Sequence, residues 1–425
     1  MPWIREQLAP SIVGSTHHGF IVLSADGSTL YNDDGATLLV GASTQKLIVT
    51  VSALHLLGKH FVFRSDLITD PIASSVAPIL WFVGSGDPLL TRQQLRAGVA
   101  QLARSGIRSV AGIGIDATAV SAPELNAKWN PNDDGEGFQA PTSGVSLDQD
   151  TVEVRILPSV LGEKARVTLH PAGSILRVID GVRSTQSGTD IEVTKRAPNL
   201  YSFDGSIGAQ DHARYWLPMH NVPKDVASVL RSMLHSAGIS VGARVIIGHA
   251  PWTGTVRWEH RSAPLPQILR RMLLESNNHI AEQVLAAISR RVSGVGDDAH
   301  GLAYERSYLT RLGIATRGMV LVDGSGLSHS NRISMLALAQ LLVRDRVALH
   351  HLLSGSGHGT LDDDDFGAAS HRIRAKTGHL DGVSALVGYV QSQHHGLLIF
   401  AFAADGSSND SDVAFAHTLD AIARW

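Results

Sequence analysis

The chain has 425 residues, more than one ordinary hydrophobic core holds, so two or three domains are expected. Apolar residues make up 44% and charged residues 18%, a globular composition, and the formal net charge is only −3. That balance gives no footprint for nucleic acid or a polybasic membrane patch, and no apolar run approaches the roughly 20 residues that span a bilayer. Cysteine is absent, which excludes disulfides, thiolate metal sites and a cysteine nucleophile. The start, Met1-Pro2-Trp3-Ile4-Arg5, lacks a basic segment followed by an apolar one and does not read as a signal peptide.

In chain order, residues 19–31 read as a hairpin. Gly19 to Leu23 is strand-like, Ala25-Asp26-Gly27 is the turn, and Ser28 to Tyr31 returns. A helix rich in Leu, Val and Ala follows from Ser43, with Gly58 as its stop. From about 65 to 253 the pattern changes to short β-like stretches, such as Val152 to Ile156 and Ala165 to Leu169, punctuated by Gly, Pro and Asp. Residues 264–291 return to helix on an apolar stripe of Leu265, Ile268, Leu269, Met272 and Leu273. Three strand-like runs, Arg372–Thr377, Ser384–Val390 and Leu397–Ala403, precede a last amphipathic helix over Ser411–Ala423. The two ends therefore read as halves of one α/β (α+β) domain. Two early and three late strands share an antiparallel sheet flanked by helices, and the middle is a largely β insertion.

Three fragments carry chemistry. Ser43-Thr44-Gln45-Lys46 is the chain's single Ser-x-x-Lys, and Ser276-Asn277-Asn278 and Lys376-Thr377-Gly378 follow it in order. Three residues is just under one helical turn, so Ser43 and Lys46 project from one face. A serine hydroxyl is a weak nucleophile until a base takes its proton, and a lysine acts as that base when burial or a nearby cation, such as Lys376, lowers its pKa. Ser276 is placed to relay a proton, Asn278 to hold Lys46 and a substrate carbonyl, and Lys376 to attract a terminal carboxylate. Thr377 offers a hydroxyl, Gly378 permits close backbone approach, and the N–H of His379 joins that of Ser43 as an oxyanion donor. Singly, the fragments also fit a helix cap, a surface turn and a strand end. Jointly and in order they form the signature of penicillin-binding acyl-serine enzymes. A second Ser-x-Asn, Ser407-Ser408-Asn409, falls after Lys-Thr-Gly and so out of order.

With these motifs the sequence resembles the D-alanyl-D-alanine carboxypeptidase/endopeptidase family of class C low-molecular-weight penicillin-binding proteins, peptidase family S13. Further anchors are Gly84-Ser85-Gly86-Asp87-Pro88, Phe138-Gln139-Ala140-Pro141, His279-Ile280-Ala281-Glu282, Asp323-Gly324-Ser325-Gly326-Leu327-Ser328 and Gly359-Thr360-Leu361. The resemblance implies a β-lactamase/transpeptidase-like domain over 1–64 and 254–425, with inserted domains over 65–148 plus 215–253 and over 149–214. It implies cleavage of peptidoglycan stem peptides or cross-links through a seryl ester on Ser43, acylation of that serine by β-lactams, and an extracytoplasmic location. It also points to Trp129 and to Asp133 or Asp134 as candidates for a side-chain pocket. Three positions depart from the family pattern: His379 after Lys-Thr-Gly, Asp362 to Asp365 after Gly-Thr-Leu, and Phe138 where relatives often carry Tyr.

Two other readings are a β-lactamase or small-ester hydrolase on the same fold, and a peptidoglycan-binding or β-lactam-sensing module without turnover. For the first, Glu124-Leu125-Asn126 lies in the insertion and lacks the spacing of a deacylating glutamate. Against the second stand the intact catalytic residues. There are 21 histidines but no His-Glu-x-x-His, and the adjacent pairs His17-His18, His350-His351 and His394-His395 do not converge on one ion, so neither a metal nor another cofactor is expected.

Overall fold

The structure is a computed structural model that describes residues 2–12, 15–70, 75–121, 126–251, 253–362, 366–406 and 410–425. The chain divides into two compact units. The first comprises residues 1–61, 128–130 and 264–425, and the second comprises residues 62–127 and 131–263.

The first unit is organised on one antiparallel sheet. Its spatial order is Ser354–Gly355, Ile373–Leu380, Val383–Ser392, Gly396–Asp405, His17–Ser24 and Thr29–Asp33. The five strands expected from the two ends are present, and the two-residue strand Ser354–Gly355 is an added edge. The first and last long strands pair directly, with Phe20 opposite Phe402 and Val22 opposite Phe400. Alternation along Gly396–Asp405 sorts the sheet's two faces. Leu398, Phe400, Phe402 and Ala404 join Phe20, Val22, Phe415 and Leu419 in a core beneath the helices Pro2–Ile12 and Asp410–Arg424. The opposite face is covered by the helix Met335–Arg344, whose Leu342 carbonyl accepts a hydrogen bond from Tyr389 Oη at 2.8 Å.

The expected Ser43 helix begins as a 3₁₀ turn, Ala42–Gln45, that passes into an α-helix, Lys46–Leu57. Residues Lys46 to Ala53 are all buried. A helix with no polar face is an interior helix, and this one packs against Asn278–Ser293. Gly58 ends it at φ 81°.

The stretch expected as one helix over 264–291 is two, Leu265–Glu275 and Asn278–Ser293. Ser276 adopts a left-handed conformation, φ 54°, which terminates the first helix. The Asn277 side chain then caps the second by accepting from the Ile280 N–H at 2.9 Å. The interruption falls on the Ser-x-Asn motif because those residues are the cap of one helix and the start of the next.

The second unit contains more helix than its sequence suggested. A five-stranded sheet runs Ser240–Ile247, Ser109–Asp116, Val76–Gly84, Arg64–Thr69 and Thr255–Arg261. The pair Val76–Gly84 and Ser109–Asp116 is parallel and needs a crossover, which the helix Arg92–Arg104 supplies. That helix opens with a capping box between Thr91 and Gln94. A second helix, Val222–Ser236, also packs on this sheet. The stretches read as strands around Val152 and Val167 pair antiparallel as Thr151–Leu157 and Arg166–His170. A separate three-stranded sheet joins Arg177–Thr185, Asp190–Ala197 and Leu200–Gly208. No helix among the described residues is long and apolar enough to cross a membrane.

Phe402 packs edge-on to Phe20 at 6.0 Å and lies 5.7 Å from Phe415, tying the first strand to the last helix. Phe402→Ala is expected to cost about 3–5 kcal/mol of stability, read by equilibrium denaturation followed by circular dichroism.

Candidate active site

The site in the first unit starts at a strained residue. Ala42 sits at φ 45°, a region that non-glycine residues rarely occupy. The turn it begins sets Ser43 and Lys46 on one side, with Lys46 Nζ 2.7 Å from Ser43 Oγ. Ser43 is partly buried and Lys46 wholly so. Burial lowers the Lys46 amine from 10.5 to about 7, and the carboxylates of Asp323 and Glu282 oppose the shift.

Two further groups meet that amine. Asn278 Oδ1 lies at 2.8 Å and the Ser325 carbonyl oxygen at 2.7 Å. Both are acceptors only. A neutral lysine has two N–H bonds and one lone pair. With Asn278 and Ser325 taking the two N–H bonds, the lone pair is left for the Ser43 hydroxyl. The protonated amine donates to Ser43 Oγ, and in the neutral form the Ser43 O–H donates to the Lys46 lone pair, the geometry that a general base requires.

The second lysine arrives on the strand Ile373–Leu380. Lys376 is fully buried, and its Nζ donates to Ser276 Oγ at 2.9 Å and to the Thr377 carbonyl at 2.7 Å. Burial, with Lys46 as the next cause, holds its pKa well below the ordinary lysine value. Gly378 follows on the same strand. A Cβ there would lie 2.8 Å from the Gly41 carbonyl oxygen and 3.2 Å from the Ser43 nitrogen. Only a residue without a side chain lets this strand run so close to the serine turn.

The structure thus brings these residues together as two hydrogen-bonded sets, Ser43 with Lys46 and Asn278, and Ser276 with Lys376, near enough for Lys46 to act electrostatically on Lys376. Residues 4–425 match the D-Ala-D-Ala carboxypeptidase 3 (S13) family.

The chain belongs to the S13 family.

A D-alanyl-D-alanine carboxypeptidase of Actinomadura sp. (strain R39) is 30% identical over 442 residues, covering 97% of this chain and 81% of the relative. The crystal structure of penicillin binding protein 4 (dacB) from Haemophilus influenzae superposes with TM-score 0.87 at 23% identity, over 99% of each chain. The same protein complexed with a β-lactam gives TM-score 0.81 at 22% identity, over 98% of this chain and 97% of that one. At those identities the likeness speaks for the fold, a β-lactamase/transpeptidase-like architecture with extra domains.

Part of this S13 site was not assigned from sequence. The loop Asp323–Ser328 is wholly or largely buried and lies against the base of the serine turn. Gly326, at φ 80°, approaches so closely that a Cβ would lie 1.9 Å from the Ala42 carbonyl oxygen. The Asp323 carboxylate accepts from Trp129 Nε1 (3.0 Å), the Gly326 and Ser328 N–H groups (both 2.8 Å) and Asn331 Nδ2 (2.9 Å). Its backbone carbonyl accepts from Gln45 Nε2. Glu282 takes the N–H of Ser325 at 2.7 Å and that of Gly324 at 3.1 Å. These bonds hold the Ser325 carbonyl where Lys46 meets it. Burial, then Asp323 and Asp298, push the Glu282 carboxyl up to about 8. The available signal was the spacing of Asn278 and Glu282, one helical turn apart on one face of their helix.

The remaining expected residues are dispersed. Thr377 is buried beside Lys376. His379 is half-exposed, with Nε2 3.1 Å from both carboxylate oxygens of Asp412. Trp129 belongs to the same unit and is engaged with Asp323. Asp133 belongs to the second unit, on the turn Pro131–Asp133, and Asp134 there pairs with Lys195 at 2.6 Å. Glu124, Asp363 to Asp365 and Ser407 to Asn409 lie outside the described residues. For a metal, the described residues offer His18, Asp33 and Asp34, whose ligand atoms lie within 4.8 Å of one another on the first sheet.

Glu282→Ala removes the acceptor for two amides behind Lys46. Acylation by benzylpenicillin is expected to slow about tenfold or more, with Glu282→Gln retaining an intermediate rate because one acceptor oxygen remains. Stopped-flow acylation of both variants measures this, with thermal melting to establish that they are folded.

Proposed function

We propose that the protein is a serine D-Ala-D-Ala carboxypeptidase and/or a DD-endopeptidase, releasing a terminal D-alanine or the amine side of a peptide cross-link, and that it works on peptidoglycan stem peptides outside the cytoplasm. The observation that carries this reading is the buried, proton-poor Lys46 amine 2.7 Å from Ser43 Oγ, with its N–H bonds committed to Asn278 and Ser325.

In this reading Lys46 takes the Ser43 proton as Oγ attacks the carbonyl of the penultimate D-alanine. The backbone N–H groups of Ser43 and His379 receive the oxyanion. Ser276, hydrogen-bonded to Lys376, gives its hydroxyl proton to the departing amine and takes the one that Lys46 received from Ser43, so Lys46 is neutral again. The free D-alanine leaves and a seryl ester remains. Water then attacks that ester, with Lys46 again as base, and restores Ser43. Lys376 is too buried to grip a ligand across open solvent. Its amine holds the Ser276 hydroxyl in place, and the Thr377 hydroxyl beside it is the contact donor for the terminal carboxylate. Trp129 and Asp133 remain candidates for reading the stem-peptide side chain. A β-lactam presents its strained amide to the same serine and stays attached as the ester.

Ser43→Ala is expected to abolish both penicillin labelling and release of D-alanine from a soluble pentapeptide. Intact-protein mass spectrometry after benzylpenicillin, with the adduct mapped by digestion, tests this together with an assay for free D-alanine. An adduct on any other residue overturns the assignment, and a short-lived adduct on Ser43 would mark a β-lactamase instead.

The acylation rate also has a defined pH dependence. Lys46 is competent when neutral, and its amine titrates at about 7, so the competent form is lost as pH falls through that value. The rate is expected to drop about tenfold per pH unit on the acid side. A profile that stays flat from about pH 5 to about pH 8 would remove Lys46 from the role of base.

A further inference from the structure

Within the second unit, the turn 131–139 and the strands Asp190–Ala197 and Ala213–Pro218 enclose a cavity of about 590 Å³. That volume lies in the range of small-ligand sites. Among the described residues, the two exposed aromatic side chains of Phe, Trp and Tyr type are Phe138 (46%) and Trp216 (52%). Both line this cavity. Large aromatics are normally buried, and two left in solvent at one hollow are platforms for something that covers them.

The polar lining narrows the ligand. Asp134 and Glu136 are matched by Lys195 and Arg214, two charges of each sign, so the hollow selects no ion by net field. Lys195 Nζ donates to Asp134 Oδ2 at 2.6 Å, while Asp134 Oδ1 is buried without a hydrogen-bond partner. Glu136 and Arg214, both exposed in the lining, offer a carboxylate acceptor and guanidinium donors to hydroxyl and amide groups. The wall is also built in advance. Gly135 is at φ 118°, with a Cβ position 3.3 Å from the Tyr201 ring. A Cβ at Gly137 would lie 2.5 Å from the Trp216 carbonyl oxygen. The turn is therefore seated on the strands by two glycines and does not need a ligand to form.

A neutral molecule with flat C–H faces, hydroxyls and amides fits those demands together, and that is the chemistry of an N-acetylated sugar. Pyranose faces stack on aromatic rings, and acetamido and hydroxyl groups satisfy mixed charged side chains that are already paired. We propose that this cavity binds a β-1,4-linked N-acetylated amino-sugar oligosaccharide, stacked on Trp216 and Phe138. This rests on the reading that the natural substrate is a wall polymer, whose glycan strand carries the stem peptides.

The test uses the full chain and tri-N-acetylchitotriose as probe, followed by isothermal titration calorimetry. Wild-type protein is expected to bind it, and Trp216→Ala and Phe138→Ala each to weaken binding about tenfold or more, with circular dichroism showing that both variants are folded. Cleavage of intact sacculi by either variant is expected to fall several-fold relative to its cleavage of a soluble pentapeptide. No binding by the wild type, equal binding by both variants, or displacement of the triose by a sugar-free stem peptide each overturns the proposal. Failure of the wild type to release D-alanine from the pentapeptide would instead overturn the catalytic reading and leave the sugar titration to stand or fall separately.

Discussion

A buried lysine amine whose pKa is lowered toward neutrality by the absence of water is the constraint around which the first unit is organised. Moving Lys46 from 10.5 to about 7 favours the neutral form by about 5 kcal/mol. The fold tolerates that against two nearby carboxyls that favour the charged amine. Asp323 accepts from four donors and Glu282 from the Gly324 and Ser325 N–H groups; both acids still favour the charged amine, and burial outweighs them. The same bonds that occupy these acids also position the carbonyl that holds Lys46. One set of interactions therefore anchors these acids and positions that carbonyl.

Each partner in this cluster comes from a different part of the chain. Asn278 is 232 residues from Lys46 and Ser325 is 279. The antiparallel sheet makes this possible by pairing the strand His17–Ser24 with Gly396–Asp405, so the first and last segments of the unit are neighbours. Long insertions between such segments are tolerated because the cost of closing a loop grows only slowly with its length. The second unit, residues 62–127 and 131–263, is accommodated on that principle. It carries its own core of residues such as Phe82, Ile113, Val226 and Leu230.

Local periodicity was readable and its interruptions were not. The hairpin at 19–31, the three late strands and the final helix follow from alternation or helical spacing, and all are present. The helix expected over 264–291 is broken, because a left-handed Ser276 overrides an apolar stripe that continues on both sides of it. The helices Arg92–Arg104 and Val222–Ser236 were passed over amid β-like segments. The Thr91–Gln94 capping box was the available cue for the first, and Pro223 after the capping Asn221 for the second. Asp323 to Ser328 and Glu282 stood out as a pattern without a role, because their role is to make contacts that no spacing encodes.

By itself, the sequence determined that Ser43 and Lys46 share a face, that two further motifs follow in order, and that the two ends of the chain build one sheet. These are properties of short windows, governed by helical and strand periods. Only the tertiary structure decided that burial lowers the Lys46 amine to about 7, that Asn278 and Ser325 accept from it, and that Glu282 holds the loop behind it. Those outcomes depend on burial and on encounters between residues hundreds of positions apart, and neither is a function of local spacing.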